Sequence, residues 1–111
     1  MKIVLNSSPL IFLAKLGYLN QFTESPDNFY TPQAVADEIG AKLDPASQIV
    51  QPLINSGNLQ VRASNFTSLV NSLNKRLGKG ESEAIALGIE LKADYILLDD
   101  STLDDKPEDS V

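Results

Sequence analysis

The sequence predicts an α/β protein built around a mainly parallel sheet, and three observations support this. Short apolar runs alternate with longer segments whose apolar residues recur at helical spacing. The connections between them are short and carry the Gly, Pro and Ser residues that begin and end helices. Strands that alternate with helices in this way are typical of a parallel sheet covered by helices.

Four short apolar runs bounded by turn residues are predicted to be strands buried in the sheet. They are residues 2–5, 28–30, 59–61 and 95–98. The first three lead directly into predicted helices, which carry the chain back for the next parallel strand.

The helices are predicted from start and stop signals around apolar residues at helical spacing. Ser8 and Thr31 each precede a proline and are predicted N-caps. Ser64 or Asn65 is predicted to cap a later helix, and a further helix begins at Gly80. Glycines are predicted to end the first four main helices: Gly17, Gly40, Gly57 and Gly78.

Composition limits the chemistry that the chain can perform. Its 111 residues make one domain, and a hydrophobic fraction of 42% is enough to form a core. The absence of cysteine and histidine excludes disulfides, zinc sites of the usual ligand types and Cys–His or Ser–His nucleophile pairs. Any catalytic site must therefore use oxygen ligands and a hard cation. No apolar run is long enough for a membrane span or signal peptide, so we expect a cytoplasmic protein.

The charge is unevenly distributed. A net charge of −6 disfavours nucleic acid as a partner, since nucleic acids bind basic surfaces. However, the last 13 residues hold much of the acidity, at Asp99, Asp100, Asp104, Asp105, Glu108 and Asp109. Residues 101–111 are predicted to be an acidic, disordered tail. A basic group, Lys75, Arg76 and Lys79, precedes the helix that begins at Gly80.

Several polar residues are expected to meet at one edge of the sheet. Asn6 follows the first strand, and Asp99 and Asp100 follow the last. In a parallel sheet these ends share an edge, where ligands bind. Glu38, late in its helix, is placed to reach the same edge. Each residue alone is also explained as a solvated, capping or turn residue, so the prediction of a site depends on their convergence.

Two glutamates at the start of the Gly80 helix compete for an inward position. Glu81 lies within the apolar face formed with Ala84 and Ile85, whereas Glu83 lies about 200° away at roughly 100° per residue. The helical wheel therefore favours Glu81. A carboxylate on an apolar face needs a partner, and a cation is a suitable one.

Three segments together resemble a known family. NSSPLIFLAKLGYL, YTPQAVADEI and GESEAIALGIELKADYILLDD are similar to the PIN-domain superfamily, and more narrowly to a prokaryotic branch of PIN-like proteins with an Asn-Ser/Thr-Ser-Pro-Leu-Ile opening. They occur in the expected order between residues 2 and 100. The resemblance implies a three-layer α/β/α fold and an Mg²⁺- or Mn²⁺-dependent nuclease acting on single-stranded or structured RNA. In many such proteins it is the toxin of a toxin–antitoxin pair, usually dimeric.

The resemblance also implies the site residues. In chain order, the acidic positions fall on Asn6, Glu38, Glu81 or Glu83, and Asp99 or Asp100. The family's acid-Ala-Ile-Ala pattern leans towards Glu83, against the helical wheel, so both stay open. The chemistry agrees with the residues, because hard divalent cations take oxygen ligands. The basic group Lys75, Arg76 and Lys79 would neutralise backbone phosphates, or would simply be a solvated helix end.

Two departures from the family pattern qualify this prediction. Asn6 stands where well-studied nucleases have aspartate, which lowers the expected metal affinity. Family members usually continue past the last aspartates with further helices and a strand, so the domain over residues 1–100 is expected to be incomplete and prone to pair with another chain.

A non-catalytic PIN-like binding or regulatory module is the main alternative. A receiver-like phosphoacceptor domain is disfavoured, because it needs acids where Asn6 stands.

Overall fold

The computed structural model describes residues 1–42 and 44–98; Asp99, Asp100 and the acidic segment 101–111 lie outside the described residues. The elements in chain order are β1 (Lys2–Leu5), α1 (Ser7–Leu16), α2 (Leu19–Thr23), β2 (Asn28–Pro32), α3 (Gln33–Ala41), α4 (Pro45–Ser56), β3 (Leu59–Arg62), α5 (Thr67–Leu73), α6 (Lys79–Leu91) and β4 (Tyr95–Leu97). All four predicted strands are present, within two residues of their predicted bounds.

The strands form a sheet in the order β3-β2-β1-β4, and every described pair is parallel. In the register, Val4 lies between Tyr30 of β2 and Ile96 of β4. The predicted parallel sheet is therefore confirmed. Because β1 is a central strand, the residue that follows it lies in the middle of the sheet's carboxyl edge.

Alternating side chains of the strands supply two separate apolar clusters. On one face, Leu5 and Phe29 pack with buried residues of α1, α3 and α4, such as Leu10, Val35 and Val50. On the other face, Val4 and Tyr30 pack with two residues of α6, Ala84 and Leu87. Helices therefore cover both faces, which confirms the three-layer α/β/α prediction.

Two of the predicted N-caps, Ser8 and Thr31, are wrong. Helix α1 begins at Ser7, with Asn6 rather than Ser8 at the N-cap. Thr31 lies inside β2, and its hydroxyl donates to the Leu5 carbonyl oxygen at 2.8 Å instead of capping α3. The cap-then-proline pattern therefore marks the passage from strand to helix, but at Thr31–Pro32 the strand extends through it.

The third capping prediction is also wrong. Phe66 occupies the N-cap of α5, whereas Ser64 and Asn65 donate hydrogen bonds to the carboxylate of Glu90 on α6. The carboxylate draws these polar groups across to the neighbouring helix. They therefore tie the loop after β3 to α6.

The glycine predictions are half correct. Gly17 and Gly57 are the left-handed C-caps of α1 and α4, with φ of 79° and 87°. Gly40 does not end α3, which continues to Ala41, because this glycine keeps a helical backbone. Gly78 is the N-cap of α6 rather than the end of α5.

The amino edge of the sheet is closed by polar contacts. The backbone N–H of Lys2 donates to the Asp94 carboxylate at 2.8 Å, and the Asp94 N–H donates back to the Lys2 carbonyl oxygen at 2.8 Å. The amino group of Met1 donates to Asp27 at 3.1 Å. These contacts fix the starts of β1, β2 and β4 relative to one another.

In the part of the chain that the structure describes, no helix has the length and apolarity needed to cross a membrane.

Candidate metal site

Asn6 lies directly after β1 and carries an unsatisfied buried oxygen. The residue is only 8% exposed. Its backbone N–H donates to Leu97 at 2.9 Å and its side-chain Nδ2 donates to the Leu98 carbonyl oxygen at 3.0 Å. Its Oδ1 accepts no hydrogen bond from the residues that the structure describes. A buried oxygen left in this way costs about 1–3 kcal/mol, which makes the space beside it a candidate position for a ligand.

The backbone of Gly80 lies close to this oxygen. A Cβ atom added to Gly80 would lie 3.1 Å from Asn6 Oδ1, 3.3 Å from Val35 Cγ2 and 3.8 Å from Glu38 Oε1. The first turn of α6 therefore passes closely over the end of β1, and its missing side chain leaves a cradle. The oxygens of Asn6 and Glu38 both border that cradle, which we call the Gly80 cradle.

Glu38 reaches the Gly80 cradle from α3. Its other carboxylate oxygen, Oε2, lies 3.9 Å from Lys42 Nζ, and both side chains are about half exposed. An exposed ion pair at that separation contributes little, about 0–1 kcal/mol. The carboxylate of Glu38 is therefore left free to bind a ligand at the cradle.

Glu81 and Glu83 lie on different flanks of α6. Glu81 is one turn before Ala84, which packs on β1, and two turns before Gly88, which contacts Ile96 of β4. Glu83 lines a groove between α5 and α6. Helical spacing thus puts Glu81 on the flank that faces β4, after which Asp99 and Asp100 follow in the chain.

The described residues do not by themselves form a complete set of metal ligands. Within residues 1–42 and 44–98, no three carboxylates lie close enough together to hold a metal ion. Asp99 and Asp100, the predicted fourth corner, lie outside the described residues. The oxygens that border the Gly80 cradle, the amide of Asn6 and the carboxylate of Glu38, are the hard donors that Mg²⁺ and Mn²⁺ accept. The donors present therefore fit a hard divalent cation.

The predicted basic group lies beside the start of α6. Lys75 and Arg76 occupy the turn between α5 and α6, and Lys79 is the first residue of α6. All three are exposed, and none forms an ion pair with another described residue. Their charge is therefore available to an anionic ligand at the carboxyl edge.

Two residues of this edge were missed by sequence reasoning. Nothing in the sequence marked Gly80 as a site residue, because a glycine at the start of a helix is explained by the turn that precedes the helix. Arg62 ends β3 and lies over the Tyr30 ring, with Cζ 5.7 Å from the ring centroid. Arg62 could have been predicted from the sequence, because it is a charged residue directly after the predicted strand 59–61. Ligands of parallel sheets bind at the carboxyl ends of the strands.

Glu90, farther along α6, has a structural part instead. It accepts hydrogen bonds from the Asn65 backbone N–H at 2.9 Å, the Ser64 hydroxyl at 2.9 Å and the Asn65 side-chain amide at 3.0 Å. These donors stabilise the ionised form, the Asn65 backbone N–H most strongly, and lower the pKa of Glu90. Glu90 therefore holds the loop after β3 against α6, away from the Gly80 cradle.

Comparison with known proteins adds one match. Residues 2–104 match the model of a family, DUF3368, described as a PIN domain. The match spans every element of the sheet and both donors at the Gly80 cradle. Neither the comparison with curated proteins nor that with solved structures gave a significant match.

Proposed function

Since the chain belongs to the PIN-domain family, we propose that it is a divalent-metal-dependent ribonuclease that hydrolyses phosphodiester bonds of single-stranded or structured RNA. Family membership indicates a nuclease-type function in general terms. The observation that carries the finer proposal is the unpartnered Oδ1 of Asn6, buried beside the Glu38 carboxylate at the Gly80 cradle. That arrangement favours a cation with a preference for oxygen.

The metal would be held by oxygen donors from separate elements. We assign Asn6 and Glu38 first, with Glu81 ahead of Glu83 because it lies on the flank that faces β4. Asp99 or Asp100 completes the proposed set. When bound, Mg²⁺ or Mn²⁺ would lower the pKa of a coordinated water and stabilise negative charge on the phosphate.

The chain's own part in the reaction is to bind and orient the substrate. Lys75, Arg76 and Lys79 would neutralise backbone phosphates on the approach to the Gly80 cradle. Arg62, at the same edge of the sheet, provides a further cation. These four cations would partly offset the acidic residues of the same edge when RNA binds, since binding depends on local as well as net charge.

The decisive experiment compares two neighbouring acids of α3. Purified protein is incubated with a labelled single-stranded RNA in the presence of Mn²⁺. Wild type and Asp37→Ala are expected to cleave it, whereas Glu38→Ala should cleave at least about 100-fold more slowly, in line with loss of a metal ligand. Asp37 is a matched control because it is exposed and bonds only Gln33 among the described residues. RNA left intact by pure wild-type protein would count against the proposal.

A second function is favoured by one observation, the neutral amide at Asn6. An amide oxygen binds cations more weakly than a carboxylate, so the fold would then serve as a non-catalytic binding or regulatory module. This alternative predicts that Mn²⁺ leaves the melting temperature unchanged. A clear rise with Mn²⁺ concentration would argue against it.

Self-association is part of the proposal. Among the described strands β4 is at an edge of the sheet, and beside it Ile3, Phe22, Tyr95 and Leu97 line an apolar hollow of about 280 Å³. Tyr95 is 55% exposed there. An apolar hollow next to the edge strand of the described sheet favours pairing of two copies. We expect a concentration-dependent dimer in sedimentation experiments, and Tyr95→Lys should shift it towards monomer.

The biological setting that we propose is that of a cytoplasmic toxin restrained by an antitoxin protein. An antitoxin would act by covering the carboxyl edge, where the Gly80 cradle lies. Expression of the wild type alone should then slow growth, and expression of Glu38→Ala should not. Equal growth with both proteins would argue against the toxin role while leaving ribonuclease activity to the cleavage assay.

A further inference from the structure

A polar groove lies between α5 and α6 at the carboxyl edge of the sheet. It begins where β3 ends, at Ser64, and runs between one face of α5 and the first turns of α6. Its volume of about 430 Å³ falls within the range of roughly 300–1,000 Å³ that is usual for small-molecule sites. The groove is therefore large enough for a single small polar ligand.

Most polar side chains of this groove form no hydrogen bond or ion pair with another described residue. The following five make no side-chain hydrogen bond or ion pair with any other residue in 1–42 and 44–98: Thr67, Asn71, Asn74, Lys79 and Glu83. Donors and acceptors are thus presented together in one concave surface. Such a set recognises a ligand with its own pattern of donors and acceptors.

A second polar groove, at the amino edge, shows the contrast. There Asp27 binds the amino group of Met1 and the hydroxyl of Ser25, and the Thr23 hydroxyl donates to carbonyl oxygens of its own helix. Gln60 also accepts a hydrogen bond from Arg62, whereas Glu24, Asn28 and Asn58 make no side-chain hydrogen bond with another described residue. Four of the seven polar side chains that line the amino-edge groove are thus bonded within the fold. In the α5–α6 groove only Ser64 is bonded in this way, so a larger share of its polar side chains is open to a ligand.

The side chains of the α5–α6 groove suit a nucleotide. Asn71 lies on α5, and Asn74, three residues later, is the C-cap of that helix with a helical backbone, so the two share a face. A side-chain amide donates and accepts at once, and pairs with the edges of bases. Val70 supplies an apolar wall for a base, and Lys79 a cation for a phosphate.

The groove also adjoins the candidate metal site through α6. Lys79 and Glu83 face the groove, while Gly80, between them in sequence, faces Asn6 and Glu38. We propose that the groove binds one unpaired nucleotide of the RNA next to the cleaved phosphodiester, with Asn71 and Asn74 reading its base. This inference rests on the proposed ribonuclease function and adds to it a site of base preference.

The test measures binding and cleavage separately. Fluorescence anisotropy with labelled oligo(A), oligo(C) and oligo(U) in EDTA reports affinity without cleavage, and the same oligonucleotides with Mn²⁺ report cleavage. The wild type is expected to prefer one base. The double variant Asn71→Ala/Asn74→Ala should lose about tenfold in affinity for that oligonucleotide and much less for the others.

The control is a pair of amides on the opposite side of the sheet. Gln48 and Gln51 are also exposed and three residues apart, on α4, so Gln48→Ala/Gln51→Ala should bind as the wild type does. Thermal unfolding checks that both double variants are folded.

Three results would overturn the inference. They are equal affinity of the wild type for all three oligonucleotides, unchanged binding in the Asn71/Asn74 variant, and no binding by the wild type. The cleavage assay then tests separately whether the protein is a ribonuclease. If wild-type protein still cleaves RNA with Mn²⁺, only the groove is wrong; if it neither binds nor cleaves, the ribonuclease proposal fails as well.

Discussion

The two edges of the sheet use polar residues in opposite ways. At the amino edge, Asp94 and Lys2 exchange hydrogen bonds, and Asp27 binds the amino group of Met1. At the carboxyl edge, and among the described residues, Asn6 keeps a buried oxygen without a partner, and Glu38 pairs only with Lys42, at 3.9 Å. The polar contacts of the amino edge stabilise the fold. The carboxyl edge keeps oxygen atoms that can still accept a hydrogen bond or bind a cation, as a ligand site requires.

The sharpest test of this contrast replaces the amide of Asn6 by a carboxylate. Asn6→Asp loses the donor to the Leu98 carbonyl oxygen, so without metal the free energy of unfolding should fall by about 1–3 kcal/mol. With Mn²⁺ the added charge strengthens binding and should recover that loss. Urea unfolding with and without Mn²⁺ measures both effects.

The control for Asn6→Asp is Asn20→Asp, at an exposed position on α2. It should show neither the loss of stability nor the recovery. If Mn²⁺ stabilises Asn6→Asp no more than it stabilises the wild type, Asn6 is not a metal ligand.

The Gly80 cradle itself is tested by filling it. Gly80→Ala would place Cβ 3.1 Å from Asn6 Oδ1, in the space assigned to the cation. Mn²⁺ affinity should fall about tenfold, which removes about 1.4 kcal/mol of Mn²⁺-dependent stabilisation at a fixed saturating concentration. Thermal unfolding across a Mn²⁺ titration measures it.

Gly40→Ala is the matched control for the cradle variant. Gly40 is helical, and a Cβ there would meet nothing within 4 Å. This variant should gain about 0.5–1 kcal/mol of stability from helix propensity and keep the full Mn²⁺ response. A Gly80→Ala protein with an unchanged Mn²⁺ response would place the metal elsewhere.

Substitutions at the amino edge should lower stability without affecting RNA cleavage. Asp94→Ala removes the acceptor for the Lys2 N–H, so the free energy of unfolding should fall by about 1 kcal/mol, with RNA cleavage unchanged. Asp94→Asn keeps an oxygen acceptor and should recover most of the stability. A loss of cleavage in folded Asp94→Ala would show that the two edges are not independent.

The smallest expected effect concerns pH. Because the pKa of Glu90 is lowered in the folded state, its contribution to stability is present above the ordinary pKa of glutamate and is lost as pH falls towards the folded pKa. Glu90→Gln should therefore flatten the acid side of the stability profile without changing Mn²⁺ binding. Urea unfolding between neutral pH and the acid range checks this, and an unchanged slope would contradict it.

The sequence by itself determined the architecture and the general location of the candidate site. Alternating apolar runs and helix signals are local properties, and they predicted the parallel sheet and the position of Asn6 at its carboxyl edge. Helix boundaries were less well predicted. Thr31 and Ser64 carry good capping side chains, but they form hydrogen bonds with Leu5 and Glu90, partners that are distant in sequence.

Only the tertiary structure decided how α6 lies over the end of β1. Gly80 became part of the candidate site because its backbone passes close to Asn6 and Glu38, residues far from it in sequence. The same placement puts Glu81 on the flank towards β4 and Glu83 in the α5–α6 groove. Local pattern fixes which residues face inward along a helix, whereas the distance between elements depends on packing of the whole core. The helix–turn–strand segment from Gly80 onwards was thus recognisable from sequence, and its close approach to Asn6 was not.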